Sequence, residues 1–160
     1  MDEVGRGALA GPLVAAAVVL PVGLGESCSA ISQALSGVRD SKQLSPRFRE
    51  EMAARVLNLA TCSAVGLVSA EELDLVGLSA ANRLVMERAV LALTVPPDAL
   101  LLDACLIDLN CPQVAIVNGD ARCLSIAAAS ILAKVTRDRM MVDWHGHDPR
   151  YGFDRHKGYG

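Results

Sequence analysis

The chain has 160 residues, enough for one domain with a substantial core, and its 52% hydrophobic and 21% charged residues describe a globular rather than a disordered protein. A net charge of −3 and a pI near 5.6 exclude the strongly basic footprint of a tight, non-specific nucleic-acid binder, although a local basic cleft stays compatible with them. The five cysteines (Cys28, Cys62, Cys105, Cys111, Cys123) are odd in number and lack Cys-x-x-Cys spacing, which argues against a disulfide framework and for small buried thiols in a reduced, cytosolic setting.

The first residues are the most informative. Asp2 and Glu3 are adjacent acids, and Gly5-Arg6-Gly7 follows them closely. Neighbouring carboxylates repel, so their pairing suggests a cation to hold. An arginine between glycines has room to reach an anion. Together they suggest a metal-assisted reaction on a phosphate. Residues 12–20 form a continuous apolar run closed by Pro21, the pattern of a buried strand and too short to cross a bilayer. Residues 22–39 are Gly- and Ser-rich and are expected to form a loop with a short helix. Ser45-Pro46 is a helix start, and a helix over 46–59 places Phe48, Met52, Val56 and Leu59 on one stripe. Residues 61–68 read as a strand, and Ser69-Ala70-Glu71-Glu72 as a capping box. A helix over 79–93 brings Leu84, Val85, Arg88 and Leu91 into register before Pro96-Pro97. Residues 99–103 form an apolar strand ending in Asp103, and residues 113–117 another, followed by Asn118-Gly119-Asp120. A long helix over about 122–143 contains a small-residue segment, Ala127-Ala128-Ala129-Ser130, suited to close packing on a sheet. The tail 148–160 reads as irregular. Alternating strands and helices make this an α/β layered domain.

Asp103 is the sharpest of the acids, because an ionised group at the tip of a buried strand is costly unless paired or bound to a metal. Carboxylate-rich sites select Mg²⁺ or Mn²⁺. Gly119-Asp120 alone reads as a turn or helix cap, and spacing alone does not join the four acids into one site. His145 and His147 with His156 or Cys123 are irregularly spaced for zinc and read as loop histidines, His156 shaping its own loop. A dinucleotide-binding turn at Gly5-x-Gly7 would need a preceding strand and a glycine at position 10, where Ala10 stands.

Four blocks together carry a resemblance. They are Asp2-Glu3-Val4-Gly5-Arg6-Gly7 with Ala10-Gly11-Pro12, then Asp40-Ser41-Lys42-Gln43-Leu44-Ser45, then Ser125 through Asp138, then Tyr151-Gly152-Phe153 with His156-Lys157-Gly158-Tyr159-Gly160. In this order they resemble bacterial ribonuclease HII (type 2 ribonuclease H). The resemblance implies a ribonuclease H-like fold, a central mixed five-stranded sheet flanked by helices. It implies an endonuclease that cuts the RNA strand of RNA–DNA hybrids and cleaves 5′ to single ribonucleotides in duplex DNA, leaving 3′-hydroxyl and 5′-phosphate ends.

It also implies a two-metal site for Mg²⁺ or Mn²⁺ held by Asp2, Glu3, Asp103 and Asp120, with Asp138 as a supporting residue paired to Arg137 or Lys134. Gly5, Arg6 and Gly7 would approach the ribose 2′-hydroxyl, Tyr159 would stack on the neighbouring sugar, and Ser41, Lys42 and Lys134 would contact phosphates. The expected partners are hybrid or ribonucleotide-containing duplexes, with no membrane, and the protein is expected to act as a cytoplasmic monomer. Only Met1 precedes Asp2, so the first strand is expected to be short, and the chain stops at Gly160 before the family's C-terminal helical segment. Asn118 stands where the family commonly has lysine, and Ala104 where glycine is common. The alternative is a domain that binds hybrids without cutting them.

Overall fold

The computed structural model describes residues 1–21, 26–38 and 44–160, with the side chains of 26–28 left aside. Ser41 and Lys42 therefore lie outside the described residues.

The apolar run forms β2 (Leu13–Val19), flanked by β1 (Asp2–Val4) and β3 (Cys62–Val68) in an antiparallel sheet of order β1-β2-β3. β4 (Leu100–Asp103) and β5 (Gln113–Ile116) pair in parallel. Met1 joins the two ladders. Its backbone nitrogen donates to the Leu101 carbonyl (2.8 Å), and its carbonyl accepts from the Asp103 N–H (3.1 Å). This is the slanted pattern of a parallel pair. The strands thus run β3-β2-β1-β4-β5, the expected mixed five-stranded arrangement, with β1 central.

β2 is buried on both faces, which is why it reads as an unbroken apolar run. Val14, Ala16 and Val18 pack towards α2 (Pro46–Leu59) and α6 (Leu124–His147). Leu13, Ala15 and Ala17 pack towards α4 (Leu78–Leu91). Helices therefore cover both faces of the sheet. α1 (Glu26–Ala34) supplies the short helix expected in the 22–39 stretch. The two N-terminal signals hold: Ser45 accepts from the Phe48 N–H at 3.3 Å, and the Ser69/Glu72 capping box closes both bonds at the start of α3 (Ala70–Val76). Among the described residues no helix is long and apolar enough to cross a membrane.

Four expectations need correction. The long helix expected over about 122–143 is α6, which starts and ends later, at Leu124 and His147; extended Cys123 (φ −130°, ψ 122°) separates it from a short α5 (Gly119–Arg122) that was not expected. The tail is not irregular: a 3-10 turn at Pro149–Tyr151, capped by the Asp148 carboxylate, leads through left-handed Gly152 into α7 (Phe153–His156). The buried face of α4 is Ala81, Asn82, Val85, Met86, Ala89 and Val90, whereas Leu91 is exposed. A Cβ at Gly66 would strike the Val85 carbonyl and the Ala89 amide, so α4 lies backbone-close on β3 at this point. Finally, Cys62, Cys105, Cys111 and Cys123 are free, as expected, but half-buried rather than buried.

Candidate active site

Strand alternation governs the first two acids. Asp2 pairs with Ala16 and so faces α6; Glu3 pairs with Ala15 and faces the other side. The Asp2 carboxylate is buried, accepts the Glu3 N–H at 2.8 Å, and takes a hydrogen bond from Ser130 of α6. Burial pushes its pKa up to about 6, with the charges of Asp103 and Asp120 adding to the rise. Glu3 is pushed up to about 7, first by burial and then by the Asp2 charge, although Arg6 lies 3.4 Å from its Oε1.

Asp103 ends β4, one strand over. Its Oδ1 accepts the Gly119 N–H at 2.7 Å, which ties the tip of β4 to the start of α5. Asp120 follows in the first turn of α5. It is buried, bonds its own neighbour Ala121 N–H at 2.9 Å, and acts electrostatically on Asp2.

Asp2, Glu3 and Asp103 open on one cleft of about 580 Å³, together with Arg6, Arg49, Ser130, Lys134 and Tyr159. Asp120 is buried and does not line this cleft. The acid cluster thus converges from β1, β4 and α5. As placed, no three His, Cys, Asp or Glu side chains among the described residues form a ready ligand shell. Asp103 bonds Gly119, and Glu3 lies against Arg6. The donor chemistry nevertheless suits a hard divalent cation. The donors are carboxylate oxygens, and the raised pKa values of Asp2 and Glu3 express a repulsion and desolvation that such a cation relieves.

The far wall is basic. Lys134 bonds Asp138 at 2.7 Å, and Arg49 lies 3.9 Å from the same carboxylate. Asp138 is therefore paired with Lys134, as expected, and not with Arg137. The Lys134 ammonium lies 5.2 Å from the centroid of the Tyr159 ring. A second groove of about 590 Å³ shares Arg49, Lys134 and Tyr159 with the first and continues past Arg47, Arg139, Arg155 and Lys157. A chain of net charge −3 thus carries a local cationic track beside its acids.

Gly5, Arg6 and Gly7 form a turn closed by the Ala8 N–H to the Gly5 carbonyl (3.1 Å), with Arg6 and Gly7 exposed. His156 shapes the Tyr159 loop: its Nδ1 accepts the Gly158 N–H at 3.1 Å and its Nε2 lies 2.8 Å from the Tyr151 carbonyl, so it donates there. His145 lies 3.2 Å from Asp154. Sequence reasoning gave no role to Arg49, Ser130 or the cationic track. Arg49 lies more than forty residues in sequence from any of the four acids, and nothing local marks it.

Comparison with known proteins gives the family and the fold. The family model described as ribonuclease HII matches residues 1–160. The chain is 50% identical over 161 residues to the ribonuclease HII of Roseiflexus castenholzii, covering 100% of this chain and 70% of that protein. The crystal structure of the ribonuclease H2 from Pyrococcus horikoshii OT3 superposes with a TM-score of 0.77 at 29% identity, covering 99% of this chain and 78% of that one. Bst-RNase HIII in complex with Mn²⁺ shares the fold (TM-score 0.68, 23% identity, 91% of this chain and 53% of that one). The chain spans between 57% and 76% of the length of the curated relatives it matches.

Proposed function

The chain belongs to the ribonuclease HII family, and so to the endoribonuclease hydrolases, and from that premise we propose that it hydrolyses the RNA strand of RNA–DNA hybrids and cuts duplex DNA 5′ to single embedded ribonucleotides. Products would carry 3′-hydroxyl and 5′-phosphate ends. The observation that carries this reading is the meeting of three carboxylates, two from β1 and one from β4, with Lys134 and Tyr159 across one cleft.

Asp2, Glu3, Asp103 and Asp120 would hold Mg²⁺ or Mn²⁺, which when bound supplies Lewis-acid charge at the scissile phosphate. The relative solved with Mn²⁺ supports the choice of ion. The chain's own groups do the rest. Ser130 and the Glu3 N–H fix the Asp2 carboxylate, and the Gly119 N–H fixes Asp103. Lys134 and Arg49 would hold the phosphate backbone in register, as positioning contacts without sequence preference. Ser41 and Lys42 belong to the same proposed set of phosphate contacts. The Gly5-Arg6-Gly7 turn would meet the 2′-hydroxyl, the group that separates RNA from DNA, and Tyr159 would pack on the adjoining sugar.

The test uses an end-labelled DNA duplex with one ribonucleotide, incubated with the protein and Mg²⁺ or Mn²⁺. A single cut 5′ to the ribonucleotide, absent from the all-DNA duplex, is expected. Binding without any cut would replace this reading with that of a non-cutting hybrid-binding domain.

A further inference from the structure

Arg137 is fully buried, yet it faces no carboxylate within bonding distance among the described residues. Its guanidinium instead donates three hydrogen bonds to backbone carbonyls. Nε reaches Pro12 (2.9 Å), Nη2 reaches Ala10 (2.8 Å), and Nη1 reaches Lys157 (2.8 Å). Two of these carbonyls end the loop that begins with the Gly5-Arg6-Gly7 turn. The third immediately precedes Gly158-Tyr159. The guanidinium also lies 5.1 Å from the centroid of the Tyr159 ring.

The neighbourhood is built around this group. A Cβ on Gly5, which has φ +112°, would sit 2.8 Å from Arg137 Nε and 2.8 Å from the Pro12 carbonyl. A Cβ on Gly158, which has φ +84°, would strike the Ala10 carbonyl. The two segments also bond each other directly, since the Gly158 carbonyl accepts the N–H groups of Leu9 (2.8 Å) and Ala10 (3.3 Å). Burying an arginine is costly, and an apolar side chain of similar volume serves packing better where packing alone is at stake. A planar fork with fixed donor directions is suited to a different task, holding separate backbone segments at set distances.

We propose that Arg137 is a positioning residue for ribose discrimination, locking the Gly5-Arg6-Gly7 turn and Tyr159 into one geometry from beneath. The inference rests on the proposed reading of those two elements as the sugar-contacting parts. Arg137 itself touches neither substrate nor the carboxylate cleft. Metal affinity therefore depends on β1, β4 and α5 and not on this clamp.

The test compares wild type with Arg137→Lys, which keeps the charge and loses the fork, and with Gly158→Ala, which wedges the same seam while leaving Arg137 in place. Hydrogen exchange reports on the clamp without reference to activity. Faster exchange at Leu9 and Ala10 in both variants, with α2 and β2 still protected, is expected, and unchanged protection there would overturn the clamp. Affinity for a duplex with one ribonucleotide, relative to the all-DNA duplex, is then measured in Ca²⁺. The preference should fall at least tenfold in both variants while Mn²⁺ affinity stays as in wild type. Variants that keep the wild-type preference would overturn the assignment. A wild type with no ribose preference would instead overturn the proposed function, with the exchange result still deciding whether the clamp exists.

Discussion

Replacing Asp2 with asparagine should stabilise the metal-free protein at alkaline pH while removing its response to metal. Asp2 is 6% exposed, and its pKa stands at about 6 against an ordinary 3.8, with burial the leading cause. The folded state therefore holds this proton to higher pH than the unfolded chain does. Between about pH 4 and pH 6 the folded state binds more protons, and stability falls as pH rises. Glu3, raised from 4.5 to about 7, extends the same loss to about pH 7.

At about 1.4 kcal/mol per pKa unit, ionising Asp2 alone costs on the order of 3 kcal/mol by pH 8. The Asp2→Asn variant would avoid that cost and also ease Glu3, whose rise owes part to the Asp2 charge. Imperfect bonding of the amide to Ser130 and the Glu3 N–H would return about 1 kcal/mol. The net gain is about 2 kcal/mol, or roughly 4–8 °C in melting temperature for a chain of this size. The assay is thermal unfolding in a chelator at pH 8 and again at pH 4, where the variant should lose its advantage. Saturating Mg²⁺ should then raise wild type by about 3 kcal/mol at a hundredfold excess over Kd and raise the variant much less. A variant that melts below wild type at pH 8, or one that gains equally from Mg²⁺, would refute the reasoning.

Other outcomes follow from single contacts. Ala104 stands at φ +59°, a region that costs a non-glycine residue about 1–2 kcal/mol, so Ala104→Gly should raise the melting temperature by a few degrees after the entropy of the unfolded glycine is subtracted; a fall would show that the strain is not real. Gly66→Ala should destabilise by about 1–3 kcal/mol in denaturant unfolding, because its Cβ meets the backbone of Val85 and Ala89 rather than a side chain that can move. Lys134→Ala should weaken hybrid binding and lower the slope of log K against log salt by about one, as loss of one phosphate contact requires; an unchanged slope would remove Lys134 from the substrate track.

Local chemistry made much of the fold legible. β2 could be read because it is buried on both faces and closed by Pro21, and the starts of α2 and α3 because their caps are complete within four residues. The strand ending in Asp103 was equally plain. Errors arose where a nonlocal contact decides the backbone. Cys123 is extended because α5 must first bring Gly119 under Asp103, and only then can α6 set off along the sheet. The face of α4 differs from the expected stripe because the side that rides backbone-close on Gly66 carries Val85 and Ala89, which leaves apolar Leu91 exposed. In the tail, capping by Asp148 and the left-handed Gly152 build short helical turns in a segment whose composition suggests irregular structure.

The site divides the same way. Asp2, Glu3 and Asp103 could be singled out one by one, but their convergence depends on Met1 pairing in parallel with β4, a contact between residues about a hundred positions apart. No periodicity encodes that. Arg137 is the extreme case. It stands in a helix beside Asp138, and an i,i+1 neighbour invites the idea of an ion pair. On a helix, however, adjacent side chains diverge by about 100°, so only one of Arg137 and Asp138 can face the Lys134 side. Asp138 takes it at 2.7 Å from Lys134, and Arg137 is turned inward beneath the loop that starts at Gly5. Once inward, its N–H donors need acceptors, and the carbonyls of Ala10, Pro12 and Lys157 take one bond from each of its three nitrogens. The glycines at 5, 11 and 158 are then not flexible positions but the spaces the guanidinium and its partners require, which is why a sequence rich in small residues there belongs to a rigid part of the molecule.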